Sequence, residues 1–202
     1  KKYGLVTAIS MVIGVVIGMI IAVIKYFAED VPALEPLAVV CDFYVTAIRG
    51  IPVVVLLLIF YFIVMASADG ITVAILTFGI NSGAYMAELI RSGINAVDRG
   101  QMEAGRSLGL SKLQTMRRII LPQAVRYVLP AVGNEFIALL KETSVAGYVA
   151  VMDLTKAGDT IRGRTYSPFM PLIAVALIYL ALVMFLTWIV GRVERRLRNS
   201  DH

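Results

Sequence analysis

The sequence has one cysteine, Cys41, and one histidine, His202, which is its last residue. A lone cysteine excludes an internal disulfide, and none of the Cys/His spacings that build a metal site occurs. With no histidine inside the chain, histidine-based catalysis is excluded. Neither HExxH nor a nucleophile paired with a base is present, which argues against an intramembrane enzyme. Charge is also scarce: 16% of the 202 residues are charged and 59% are hydrophobic, with a mean hydropathy of +0.82. Those values exclude an ordinary soluble domain. The net charge of +5 is not a nucleic-acid signature, because the basic residues cluster beside apolar runs. No duplicated half is visible, although self-sufficient carriers often have one. A cleavable signal peptide is not expected, since the first apolar run is too long and ends at Lys25. The start at Lys1-Lys2-Tyr3, without an initiator Met, suggests a native piece before it.

What the sequence does have is long apolar runs, each near the roughly 20 residues needed to cross a bilayer. They predict one all-α integral membrane domain over 1–202 with five spans. The expected spans are 4–25, 37–67, 71–91, 123–150 and 168–190. The second is broken by Arg49-Gly50-Ile51-Pro52. Pro52 cannot donate a helical hydrogen bond, so either a kink near 50–52 or an interfacial lead-in is expected there. Lys and Arg set the orientation. Arg91, Arg99, Arg106, Lys112, Arg117, Arg118 and Arg126 lie between spans three and four, and Arg192, Arg195, Arg196 and Arg198 follow span five. Both groups fall on one side, which is therefore cytoplasmic, with the C-terminus there and the N-terminus outside. Lys25 agrees, whereas Lys1 and Lys2 do not. Ser10, Gly14, Gly18 and Ala22, at four-residue spacing, form a small-residue stripe that lets another helix approach closely.

The basic interruption at 92–122 is polar where the rest is greasy. Asp98 is placed to cap a helix that ends near Leu110, and Gly109 suits its C-terminus. A second helix from Ser111 would put Leu113, Met116, Ile119 and Ile120 on one face before Pro122 stops or kinks it. Such a basic amphipathic loop would also be attracted to anionic lipid. Gly105–Lys112 is not a phosphate-binding loop, because a Walker A would need glycine at Leu110 and lysine at Ser111.

The same segment reads Glu103-Ala104-Gly105, Gly109, Ile119, Leu121-Pro122. It resembles the signature loop of importer permeases that work with ATP-binding cassettes, and all its spacings hold. The departure is Gly105, where the pattern has alanine, and that exchange is expected to loosen the helix by about 1 kcal/mol. Arg49-Gly50-Ile51-Pro52, Asn81-Ser82-Gly83-Ala84-Tyr85 with Glu88, Gly133-Asn134-Glu135-Phe136 and Lys141-Glu142-Thr143-Ser144 extend the resemblance over nearly the whole chain. They are similar to the polar amino-acid branch of the binding-protein-dependent, inner-membrane permeases with a MetI-like fold. The resemblance implies a permease subunit without enzymatic activity, with Glu103, Ala104, Gly105 and Gly109 in a cytoplasmic coupling helix. It also implies a cassette ATPase dimer holding ATP and Mg, an external solute-binding protein, an amino-acid substrate and a second permease copy or close homologue. The location implied is the prokaryotic inner membrane.

Polar residues within membrane runs are costly and usually face a cavity or a partner. Asn81, Tyr85 and Glu88 fall on one helical face, either lining a pathway or, for Glu88, pairing with Arg91. Glu135 and Glu142 share another face. Glu142, Thr143 and Ser144 offer an acceptor for an ammonium and donors for a carboxylate, or else hydrogen bonds between helices. Beyond them, the outward connection contains Asp153, Asp159 and Arg164. Asp159 is placed to open a short helix, and the resemblance implies a position near the outer gate. The alternative to an ATP-driven permease is a secondary amino-acid carrier or channel.

Overall fold

The structure, a computed structural model, describes residues 2–198. Lys1 and residues 199–202, His202 among them, lie outside the described residues. Nine α-helices in order make up most of the described chain: α1 (Lys2–Ala28), α2 (Glu35–Gly50), α3 (Val53–Ile59), α4 (Gly70–Asn95), α5 (Arg99–Ser107), α6 (Lys112–Thr115), α7 (Leu121–Glu142), α8 (Leu154–Thr165) and α9 (Phe169–Arg198). Short π or 3-10 turns extend α3, α6 and α7. The described residues contain no strand.

The centre of the molecule is α1 against α4, and the small-residue stripe explains why. Ser10 donates to the Ile75 carbonyl at 3.0 Å, and Gly14 and Gly18 sit against Ser82 and Met86. The pairing is reciprocal, since Gly79 and Gly83 of α4 receive Ile13 and Ile17 of α1. The offset is constant along both helices, so they run parallel. In lipid, where apolar side chains gain little by leaving the solvent, such close van der Waals packing is what holds two helices together.

Helix α7 runs antiparallel to α4. Gly93 meets Val128 near one end, Asn81 meets Glu142 further along, and Gly70 meets the Val149 carbonyl beyond. Helix α9 lies back along α7, with Gly133 receiving Val190. The loop after α1 and the basic segment share one end of the molecule, because Lys112 reaches Asp30 at 2.9 Å and Glu29 at 3.3 Å.

Several expected boundaries move. Three helices are long and apolar enough to cross a membrane, Gly4–Ala28, Gly70–Asn95 and Phe169–Leu197, and a bent pair could make a fourth. The region expected as a kinked second span is that pair, Pro32–Gly50 and Val53–Val64, turned by 106° at Ile51-Pro52. The short connection before α4 is closed by Asp69, whose carboxylate accepts from Ile71 N and Thr72 N at 3.1 Å and caps α4. Hydrogen bonds from Thr72 hold its pKa below the usual carboxylate value. The helical path does not stop at Pro122. A π turn over Met116–Ile120 leads into α7, where Pro122 sits in the first turn, a place that needs no proline N–H. Helix α7 ends at Glu142, and a 3-10 run over Thr143–Val149 closes at Ala150 with φ 61°. Lys141 and Glu142 therefore close α7, and Thr143 and Ser144 begin the 3-10 run that follows. Polar residues such as Arg126, Asn134, Glu135, Lys141 and Glu142 keep α7 from qualifying as an apolar span on composition alone.

Candidate functional site

The segment between α4 and α7 folds as an exposed two-helix platform. Asp98 caps α5 by accepting from Gly100 N at 2.6 Å. The helix closes in a Schellman motif: Leu110 N donates to the Gly105 carbonyl at 3.1 Å and Gly109 N to the Arg106 carbonyl at 3.0 Å. Gly109 takes φ +84°, which a side chain there would strain. Ser111 then opens α6 with a complete capping box to Gln114. Val97, Ile120 and Ala124 form a small apolar core, joined by Ile94, Met102 and Met116, that fastens the platform to the ends of α4 and α7. Glu103, Ala104 and Gly109 face outward, and Leu108 is 81% exposed at the tip.

Gly105 does not face outward. It is buried against Thr115, whose methyl and hydroxyl fill the space an alanine methyl would take. A Cβ there would lie 2.8 Å from Thr115 Oγ1, nearer still to Cγ2, and 3.2 Å from Ile119 Cδ1. The gap in the α5 surface is thus occupied from α6. Gly105→Ala is expected to destabilise the platform by about 1–3 kcal/mol through overpacking, and Thr115→Ala in the same chain to restore it. Thermal unfolding of the two variants checks this. Equal stability of Gly105→Ala and wild type would show that the fit is not tight.

The intramembrane polar residues separate into two places. Asn81, 2% exposed, donates from Nδ2 to Glu142 Oε2 at 3.1 Å and bridges α4 to the end of α7. Glu135, on the same face of α7, is half-buried. Tyr85 and Glu88 instead line an open cavity of about 580 Å³ between α1, α2 and α4, with Lys25, Asp42, Arg49 and Arg91. There the Arg49 guanidinium lies 5.2 Å from the centre of the Tyr85 ring, Glu88 pairs with Arg91, and Lys25 pairs with Asp42 at 2.5 Å. Arg49 was not singled out as a site residue from the sequence. Its signal was its place at a helix end, immediately before the Gly50–Pro52 break.

Thr143 does not offer its hydroxyl to this space. It is buried, donates to the Leu140 carbonyl at 2.8 Å and stands 3.3 Å from Thr7 Oγ1, so it joins α7 to α1. Ser144 lies within the 3-10 run that follows. Of the outer residues, Asp153 is 4% exposed and opens α8, accepting from Lys156 N at 2.5 Å. Burial raises its pKa, an effect partly offset by that N–H. Asp153 therefore takes the capping role expected of Asp159, which lies inside α8. Asp159 pairs with Arg162 at 2.6 Å and Lys156 at 3.7 Å, and the hydrogen bonds from Arg162 lower its pKa. Arg164 is exposed.

A family model for the binding-protein-dependent transport system inner membrane component matches residues 14–199. The arginine transport system permease protein ArtQ of Bacillus subtilis (strain 168) is 34% identical over 200 residues, 97% of this chain and 89% of that protein. A Rickettsia bellii (strain RML369-C) protein named for glutamine transport, GlnP, is 36% identical over 195 residues, 95% of this chain and 87% of that one. The crystal structure of an amino acid ABC transporter with histidines superposes with a TM-score of 0.90 at 38% identity, covering 96% of this chain and 90% of that one. The long apolar helices and a match over almost the entire length agree: the chain belongs to the family of binding-protein-dependent transport system inner membrane components, multi-pass proteins of the bacterial inner membrane.

Proposed function

We propose that this chain is the membrane-spanning permease subunit of an ATP-driven importer for a polar or charged amino acid. An external solute-binding protein delivers the substrate, and a separate cassette ATPase, holding ATP and Mg, drives the cycle. The observation that carries this reading is the platform over 92–122. It combines the register of Glu103, Gly109, Ile119 and Pro122 with an exposed α5 tip fixed to the ends of two membrane helices. A rigid platform of that kind can pass a push from a docked partner into α4 and α7. In this reading Glu103 and Ala104 lie in the docking helix and Gly109 in the turn that ends it, Gly105 and Thr115 keep it stiff, and Leu108 enters the ATPase.

The chain crosses the membrane five times in this proposal, through α1, the α2–α3 pair, α4, α7 and α9. The N-terminus is outside and the C-terminus cytoplasmic. α1 parallel to α4 and α7 antiparallel to it is the arrangement that order requires. Five crossings enclose a route poorly, so two copies, or one with a close homologue, surround the pathway. The largely exposed apolar surface of α9, including Phe169, Met170 and Leu177, is available to lipid and to that partner. Asn81, Glu142 and Glu135 supply acceptors for an ammonium group, while Arg49 beside Tyr85 supplies a donor for a carboxylate. Ser144 stays a pathway candidate, and Asp153, Asp159 and Arg164 belong to the outward gate region. Asp153 acts there as the cap that shapes α8.

Co-purification tests the docking. The wild-type chain is expected to retain its cassette ATPase, and Leu108→Asp to lose most of it while remaining folded. Equal retention by both forms would place the docking surface elsewhere.

A further inference from the structure

Lys112 occupies a position that docking alone does not explain. It is the first residue of α6, three residues beyond Gly109, and its side chain turns away from the exposed α5 tip towards the end of α1. Its Nζ lies 2.9 Å from Asp30 Oδ2 and 3.3 Å from Glu29 Oε2. It also stands 5.2 Å from the centre of the Tyr26 ring. All three groups belong to the last turn of α1 and the two residues after it. A single exposed ion pair constrains little. Two carboxylates and an aromatic face around one half-buried ammonium form a directed clamp. The hydrogen bond to Asp30 raises the Lys112 pKa, which favours the charged ammonium.

The rest of the platform is held differently. Its apolar core, Val97, Ile120 and Ala124, joins it to α4 and α7, to which it is also covalently continuous. Helix α1 is not adjacent to the platform in sequence, yet it packs glycine-to-side-chain along α4, and the loop that Lys112 contacts leads through a 3-10 turn into α2. Through α4 a displacement of the platform reaches α1 only indirectly, along the packed α1–α4 interface, whereas the Lys112 contacts join the platform to the end of α1 directly.

We propose that Lys112 is a positioning residue, a strut that carries the platform's displacement into the α1–α2 turn through Glu29, Asp30 and Tyr26. The inference rests on the proposed reading of the platform as an ATPase-docking surface, and it adds a second route of transmission beside α4 and α7. Because α2 bears Arg49 and Asp42, that route reaches the charged cavity without passing through the coupling helix's own chain neighbours.

The test uses proteoliposomes containing the full chain, its cassette ATPase and its binding protein. The variants are Lys112→Gln, Lys112→Glu, and the charge swap Lys112→Glu with Glu29→Lys and Asp30→Lys. The readout is amino acid taken up per ATP hydrolysed, which a merely structural role would not move while the ATPase stays bound. Both single variants should retain the ATPase, and Lys112→Glu should lower uptake per ATP about three- to fivefold. The swap should recover at least half of the loss. Unchanged uptake per ATP in both single variants, or no recovery in the swap, overturns the strut. Failure of the wild-type chain to retain any ATPase instead overturns the docking reading beneath it. Lys112→Gln, which only neutralises the side chain, keeps the test decisive if Lys112→Glu fails to fold.

Discussion

Gly18→Val is expected to prevent the chain from accumulating as a folded membrane protein. A Cβ at this position would lie 2.5 Å from Met86 Cβ and 2.9 Å from the Ala87 backbone nitrogen. Neither neighbour is the mobile tip of a long side chain. The helices cannot slide to make room, because Gly79 and Gly83 already receive Ile13 and Ile17 from the opposite direction. Overpacking of one site costs about 1–3 kcal/mol in a core that can adjust. Here the clash falls on a backbone, in an interface that depends on close approach, and the cost should exceed that range. Gly191→Val is the matched control, since a Cβ there meets nothing within 4 Å. Detergent-extracted yield and unfolding temperature compare the two. Equal yields would mean that α1 and α4 do not pack as described.

The second large effect is expected at Glu142. Glu142→Gln keeps an oxygen to accept from Asn81 Nδ2 and removes the acid, so the α4–α7 bridge survives while the electrostatic contribution is lost. A hydrogen bond to a charged group contributes about 1.5–3 kcal/mol. If the substrate's ammonium uses this carboxyl group, uptake should therefore fall about tenfold or more. Expression and ATPase retention should stay unchanged. Glu142→Ala should be worse on both counts, because it leaves the buried Asn81 amide without its partner. Wild-type uptake affinity and rate in Glu142→Gln would remove Glu142 from the pathway and leave it a purely structural acceptor.

Much of the architecture was legible because it depends on local chemistry. Apolar runs gave the membrane helices, Asp98 and Ser111 marked helix starts, and Gly109 marked the reversal between α5 and α6. The stripe from Ser10 to Ala22 announced a close helix partner, and Glu88 with Arg91 announced a pair one turn apart. What stayed hidden depends on residues far apart in the chain. Pro52 signals a break, but the 106° between its two arms is set by where α2 and α3 pack. Gly105 read alone suggests a weaker helix, and only Thr115, folded back against it, shows that the missing methyl makes room. Thr143 could serve either a substrate or a neighbouring helix, and only Thr7, 136 residues away, shows the helix contact. Arg49 follows the same rule, since nothing near it in sequence indicates Tyr85.

The most direct measurement is uptake into proteoliposomes that hold this chain with its cassette ATPase inside and its binding protein outside. Amino-acid accumulation should require ATP, both partners and an intact α5 platform, and should persist when ion gradients are collapsed. Accumulation by the chain alone, driven by an ion gradient and indifferent to ATP, would contradict the account.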